Sequence, residues 1–172
     1  MSIRDTVFVA GNTLYTLHET ASTLTQQDIP PAPNGTTGPL IANFSVIPPG
    51  LPEGAVMRAA EIQLAEASPS FPEPFIYVSN RNIGDPPLDP RGEAITIFRV
   101  EPELEPIGFV FTGLDQIRGM ELGGHDNEFL IASGVAGDGG TIMLRRTEGG
   151  GNLEILARNT EFPTRSTFVW LD

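Results

Sequence analysis

All-β, organised as three four-stranded antiparallel units, is the fold class that this sequence predicts, and three observations predict it. Apolar and β-branched residues come in short alternating runs, and the 16 prolines and 19 glycines spread between them leave little that reads as helix. The runs fall into sets, because Arg4, Arg58 and Arg118 each open a first strand, at spacings of 54 and 60 residues. Tyr15 and Tyr77 stand 62 residues apart, and so do Glu19 and Arg81. A repeat of about 50 residues holding four antiparallel strands is the mark of a β-propeller blade, a period that a sandwich or jelly roll would not require.

The first unit, residues 1–48, has its strands in "DTVFVA", "TLYTLHE", "TLTQQDI" and "LIANFSVIP". The second, residues 57–113, has "RAAEIQLAE", "FIYVSNR", "AITIFRVE" and "PIGFVFTG". "MRAAEIQLAEA" alone has a helical look, but its neighbours and its place in the repeat argue for a strand. The third, residues 117–159, has "IRGMELGG", "EFLIASGVA", "TIMLRRT" and "LEILARN", and "STFVWL" adds one last strand over 166–171. In "GVAGDGGT" the Asp-Gly between two β runs is a hairpin turn; without a lysine or a following helix the run is no phosphate loop. The insert "NIGDPPLDPRGE" lacks the ligand spacing of a calcium loop and reads as a lid or a surface excursion. Rings need about four to eight blades. Residues 1–172 are therefore expected to be a single partial propeller: three blades plus a terminal closing strand.

Composition narrows the chemistry. The net charge is −12, all ten cations are arginines and lysine is absent. Such a chain is repelled by phosphate backbones and anionic lipid heads, so neither nucleic acid nor a membrane is an expected partner. Schiff-base chemistry is excluded, and every fixed cation is a guanidinium whose fork fits a carboxylate. With no cysteine there is no disulfide and no thiolate nucleophile, and two histidines, His18 and His125, are too few for a zinc site; no metal or cofactor is expected. The start "MSIRDTVFVAGN" lacks a secretory leader's charged and apolar regions, so the cytoplasm is the default compartment. "NGT" at Asn34 and "NFS" at Asn43 match the glycosylation triplet, which says little without such a leader.

With the blades drawn, the sequence resembles the seven-bladed lactonase propellers, a family that includes fungal 3-carboxy-cis,cis-muconate cyclases and bacterial 6-phosphogluconolactonases. The matching stretches are "IRDTVFVAGNTLYTLHET", "FSVIPPGLPEGAVMRAAEIQLA", "FIYVSNR" and the terminal "FVWLD", and "IPPGLP" and "WLD" look closest to the fungal cyclases. The resemblance covers nearly the whole chain but only the C-terminal three blades of the family. It implies a site of one histidine, two arginines and one glutamate around the central channel. Arg4, Glu19 and Arg81 match the first arginine, the glutamate and the second arginine; the histidine belongs to an earlier blade and has no counterpart here. Asp5 and Val9 stand where histidines are common in the bacterial lactonases, which favours the cyclase over the hydrolase.

Strand topology gives the same residues a shared location. In an up-and-down blade the start of the first strand and the end of the second lie on one edge, so Arg4, Glu19, Arg58, Arg81 and Arg118 fall on one face. Adding a carboxylate across a conjugated double bond, or reversing that step, needs cations for the substrate carboxylates and a group to move a proton. Arg4, Glu19 and Arg81 are the catalytic candidates, with Glu19 either moving the proton or orienting an arginine. Arg58, Arg118 and His18 are the further substrate-binding candidates, although strand alternation points His18 away from Glu19. His125, in a turn, is expected to be exposed, and Glu61 to face the channel or pair with an arginine. Glu19 and Arg81 are expected to be edge groups rather than core, so that Glu19→Gln or Arg81→Ala leaves fold stability nearly unchanged. The function expected is a muconate-cyclase-like lactonase that forms or opens a lactone of a small carboxylated substrate. The competing expectation is a non-catalytic propeller piece that self-associates, two copies making six blades, or binds another protein through its uncovered faces.

Overall fold

The computed structural model of the protein describes residues 5–32, 36, 38–85, 89–138, 140–161 and 168–171, with backbone alone at 5–8. Three four-stranded antiparallel meanders follow one another along the chain. The first holds β1 (Asp5–Ala10), β2 (Thr13–His18), β3 (Thr23–Asp28) and β4 (Leu40–Ser45). The second holds β5 (Met57–Ala65), β6 (Phe75–Asn82), β7 (Ala94–Arg99) and β8 (Glu105–Phe111). The third holds β9 (Asp115–Gly123), β10 (Phe129–Ala136), β11 (Thr141–Thr147) and β12 (Asn152–Asn159). β5 lies against β9 on one side and β1 on the other, so the strands that open each meander are the adjoining ones, as in the partial propeller that the repeat predicts. Among the described residues no helix is long and apolar enough to cross a membrane.

Period-two alternation sorts the core into two layers between the sheets. Ile76 and Val78 of β6 and Phe98 of β7 face the first sheet and pack with Tyr15, Leu17 and Leu24. Tyr77, Ile95 and Ile97, one residue out of phase, face the third sheet and pack with Ile117, Met120, Leu130, Ile142 and Leu144. The middle sheet is thus covered on both faces, and every residue of β6 is buried, whereas β2 buries only alternate residues. Burying each of these large side chains contributes about 1.5–3 kcal/mol.

Buried polar groups join the layers. The Asn80 amide and the Thr96 hydroxyl both donate to the Val46 carbonyl, at 3.0 and 2.7 Å. Between the second and third sheets the Arg146 Nε donates to the Tyr77 hydroxyl at 2.8 Å, and that hydroxyl donates to the Gly150 carbonyl at 2.7 Å. Arg146 also lies 4.0 Å over the Phe71 ring. Burial raises the Tyr77 phenol to about 12 in spite of this cation, so it stays a donor at any physiological pH.

The segment expected to close a ring, 166–171, is described only from residue 168, and 168–171 carry no strand pairing. Trp170 instead stacks on Phe129, with ring centroids 6.2 Å apart and planes 16° from parallel. Its indole fills the space over Gly123, where a Cβ would fall 2.1 Å from the ring carbons. Gly123 and Phe129 lie opposite each other in the β9–β10 ladder, so the tail rests on one end of the third sheet.

Candidate functional site

The register of the hairpins places the candidate residues at one end of the sheets. Arg58 at the start of β5 pairs with Arg81 at the end of β6. Asp5 at the start of β1 pairs with His18 at the end of β2, so Glu19 follows immediately beyond the ladder. The two strand ends meet across the gap between the sheets: an Arg81 terminal nitrogen donates to a Glu19 carboxylate oxygen in a short ion pair. The repeat that put an acid in one blade and an arginine in the next therefore forms a direct inter-blade contact.

Arg81 is buried, with 7% of its surface exposed, where an edge charge was expected. Both neighbouring sheets cover the end of β6, which is why its last polar residues are enclosed like its apolar ones. Burial pushes the guanidinium below its ordinary pKa, and the nearby Arg118 cation pushes it further, while Glu19 and Glu93 work against both. Arg81 Nε is enclosed with no acceptor among the described residues. Arg118 itself is exposed. The pair Glu19–Arg81 thus sits beside a second, exposed cation, an arrangement with capacity for an anion.

The other candidates divide. Arg58 reaches across to the first sheet and donates to the Thr20 carbonyl at 2.9 Å, one residue beyond Glu19. His18 shares a 3.1 Å hydrogen bond with Thr25 inside its own sheet. Arg4 lies outside the described residues. His125 is exposed in a short 3-10 turn, 3.7 Å from Asp126, and Glu61 is half-buried at a β5 irregularity, its backbone N–H donating to the Ser79 hydroxyl at 3.0 Å. Among the described residues no three histidine, aspartate or glutamate side chains gather as a metal site.

Sequence reasoning missed two members of the site. Gln116 precedes Ile117 at a left-handed backbone position (φ +56°), and its amide serves two groups: the nitrogen donates to the Asn82 carbonyl, the oxygen accepts from Arg81 at 3.5 Å. Glu93 closes the insert read as a surface excursion, yet it is only 5% exposed. Its carboxylate accepts from the Asn82 N–H at 2.6 Å and from the Ile117 N–H at 2.8 Å. Burial raises it to about 7, and these backbone hydrogen bonds only partly offset that cost. The one local signal was an acid set directly before the apolar run "AITIF". Glu93 also lines a cavity of about 210 Å³ whose walls include Met57, Phe111, Leu114 and Asp115.

No curated protein sequence matches the chain at a significant level. Solved structures do. A crystal structure of a Lactobacillus plantarum protein superposes with a TM-score of 0.69 at 20% identity, over 90% of this chain and 40% of that one. The periplasmic gluconolactonase of Pseudomonas aeruginosa gives 0.67 at 14% identity, over 89% and 38%. A Bacteroides fragilis protein provisionally assigned as a 6-phosphogluconolactonase gives 0.63 at 15% identity, over 89% and 37%. At these identities the likeness is one of fold, and the chain spans about two fifths of the length of each. The family model described as lactonase, 7-bladed beta-propeller matches residues 3–170, nearly all of the sequence. The chain belongs to the seven-bladed β-propeller lactonase family.

Proposed function

We propose that this chain supplies one wall of a site that forms or opens a lactone of a small carboxylated substrate, in the manner of a muconate cyclase. The observation that carries the reading is the Glu19–Arg81 pair formed between two blades beside the exposed Arg118. Arg81 and Arg118 would bind a substrate carboxylate, whose two oxygens match a guanidinium fork. Lactone formation joins a carboxylate oxygen to one alkene carbon, and the π electrons take up a proton at the neighbouring carbon. Glu19 would exchange that proton: as the carboxylate paired with Arg81 it removes the proton when the lactone opens, and for lactone formation it first takes up a proton from water and then delivers it to the carbon. This acid/base route assigns no step to a metal.

The test is the loss of diene absorbance when purified protein is given 3-carboxy-cis,cis-muconate. Glu19→Gln keeps the shape and the hydrogen bond to Arg81 but cannot exchange the proton. Turnover should fall by about two to four orders of magnitude if Glu19 moves the proton. Wild-type turnover that survives Glu19→Gln unchanged would end this reading. A non-catalytic, self-associating propeller piece is the second reading, favoured by Val9 and Ile41, each 55% exposed on the first sheet.

A further inference from the structure

Three groups with different jobs meet behind the Glu19–Arg81 pair. Arg81 ends β6 next to Asn82, and Arg118 follows Ile117 in β9. The two segments belong to different sheets and carry like charges, so repulsion acts to spread them. The Glu93 side chain ties them: its two carboxylate oxygens accept separately, one from the Asn82 N–H and the other from the Ile117 N–H. Glu93 is itself fixed, since its N–H donates to the Leu114 carbonyl at 2.9 Å and its carbonyl accepts from the Thr112 hydroxyl at 2.7 Å and the Thr112 N–H at 2.9 Å. Gln116 adds a parallel tie from β9 to the Asn82 carbonyl.

We infer that Glu93 is a positioning residue: by clamping the backbone beside Arg81 and beside Arg118, it fixes the spacing at which the two guanidinium groups meet an anion. The inference deepens the carboxylate-binding reading of the site and rests on it for the identity of the anion, while the clamp itself is independent of it. Glu93 does not touch the reacting atoms. Its anionic form also opposes the Arg81–Arg118 repulsion, and Glu93 titrates near 7 because it is buried. Among the described residues, the charged groups acting on it are Arg81 from β6 and Asp115 from β9, the latter raising it further. Crossing that pH should therefore alter the electrostatic setting of the two arginines together.

Arginine side-chain NMR reads this without an assay of turnover. In the wild-type protein the Arg81 and Arg118 Nε resonances should shift with one shared midpoint near pH 7, with Arg99, distant in its own Glu105 pair, as the still reference. In Glu93→Gln, whose amide nitrogen cannot accept, that midpoint should vanish. The Arg81 Nε–H order parameter should also drop toward the flexible range, below about 0.6. Glu93→Asp, with a carboxylate one methylene short, should keep the titration but not the rigidity, and serves if the glutamine variant does not fold. Binding of cis,cis-muconate should weaken about tenfold in Glu93→Gln, the scale of a small misplacement of binding groups. Wild-type Arg81 and Arg118 resonances that do not titrate together, or an Arg81 equally rigid in a folded variant, would overturn the clamp. A wild-type protein that shows the titration but binds no muconate would keep the clamp and remove the carboxylate reading instead.

Discussion

Removing the side chain of Arg81, a residue 7% exposed, deletes a guanidinium together with its ion pair to Glu19, whose side chain is only 20% exposed. Arg81→Ala should therefore destabilise the fold by about 1–3 kcal/mol, the scale of a lost hydrogen bond between charged groups, as measured by denaturant unfolding. A change below a few tenths would return Arg81 to the role of an edge charge. Glu93 gives a second test through pH. Its folded pKa of about 7 lies above the ordinary 4.5, so between those values the native state holds a proton that the unfolded state has released. Stability from this group is complete below about pH 4.5 and declines as pH rises to about 7, by about 3 kcal/mol at most. Glu93→Gln should flatten that part of the stability curve; a slope that persists would assign it to other groups. The contrast between the two residues shows what sequence can carry. Glu19 and Arg81 were legible because a 62-residue offset marks equivalent strand ends, and equivalent ends in adjacent blades meet. Glu93 was not, because its burial depends on a loop folding back over the end of β6, and no spacing in the sequence records that.

At the scale of elements, alternation found the strands where one face is covered, and the repeat found them where two are. β5 carries an apolar stripe that also fits a helix, but it forms nine residues of strand, its alternation broken at a register shift between Ala59 and Ile62 and again at its end, where Leu64 and Ala65 are both buried. β6 shows no alternation of burial, since both its faces pack against neighbouring sheets. The loops decide the rest. Gly92, just before Glu93, has φ +76°, and a Cβ there would stand 2.4 Å from the Gly113 Cα. The two loops that carry Glu93 and Leu114 can approach because neither has a side chain at that point. Gly92→Ala should cost about 2–4 kcal/mol, combining a left-handed backbone with a backbone clash. It should also mobilise Arg81 by displacing Glu93. An alanine variant of wild-type stability would contradict the close approach.

For the whole molecule, the middle sheet is the reference for what a flanking blade does. Where the first and third sheets face it, side chains are enclosed; on their far sides the same alternation leaves apolar residues exposed. Ala10 and Ala42 pack in the layer toward the second sheet, so their neighbours Val9 and Ile41 point the other way, and both are 55% exposed. Leu40, at the start of the same outer strand β4, is 57% exposed. On the third sheet the Phe129–Trp170 stack covers one end of β9 and β10. Val9, Leu40 and Ile41 lie on β1 and β4, the two edge strands of the first sheet, and apolar groups left facing outward across a sheet are candidates for an interface. We propose a second copy of the 172-residue chain as the occupant to test, because two copies of three sheets supply six, within the range of about four to eight that a ring holds. Light scattering should then give twice the chain mass of 18.5 kDa. Val9→Lys combined with Ile41→Glu should return the protein to one copy with its circular dichroism unchanged, because neither side chain belongs to the core. The chain's one tryptophan, Trp170, supplies an independent optical reading: Gly123→Val should expel the indole from its place on β9 and shift its emission to the red. If the wild-type protein scatters as a single copy at every concentration tested, the exposed face of the first sheet is not a self-association surface.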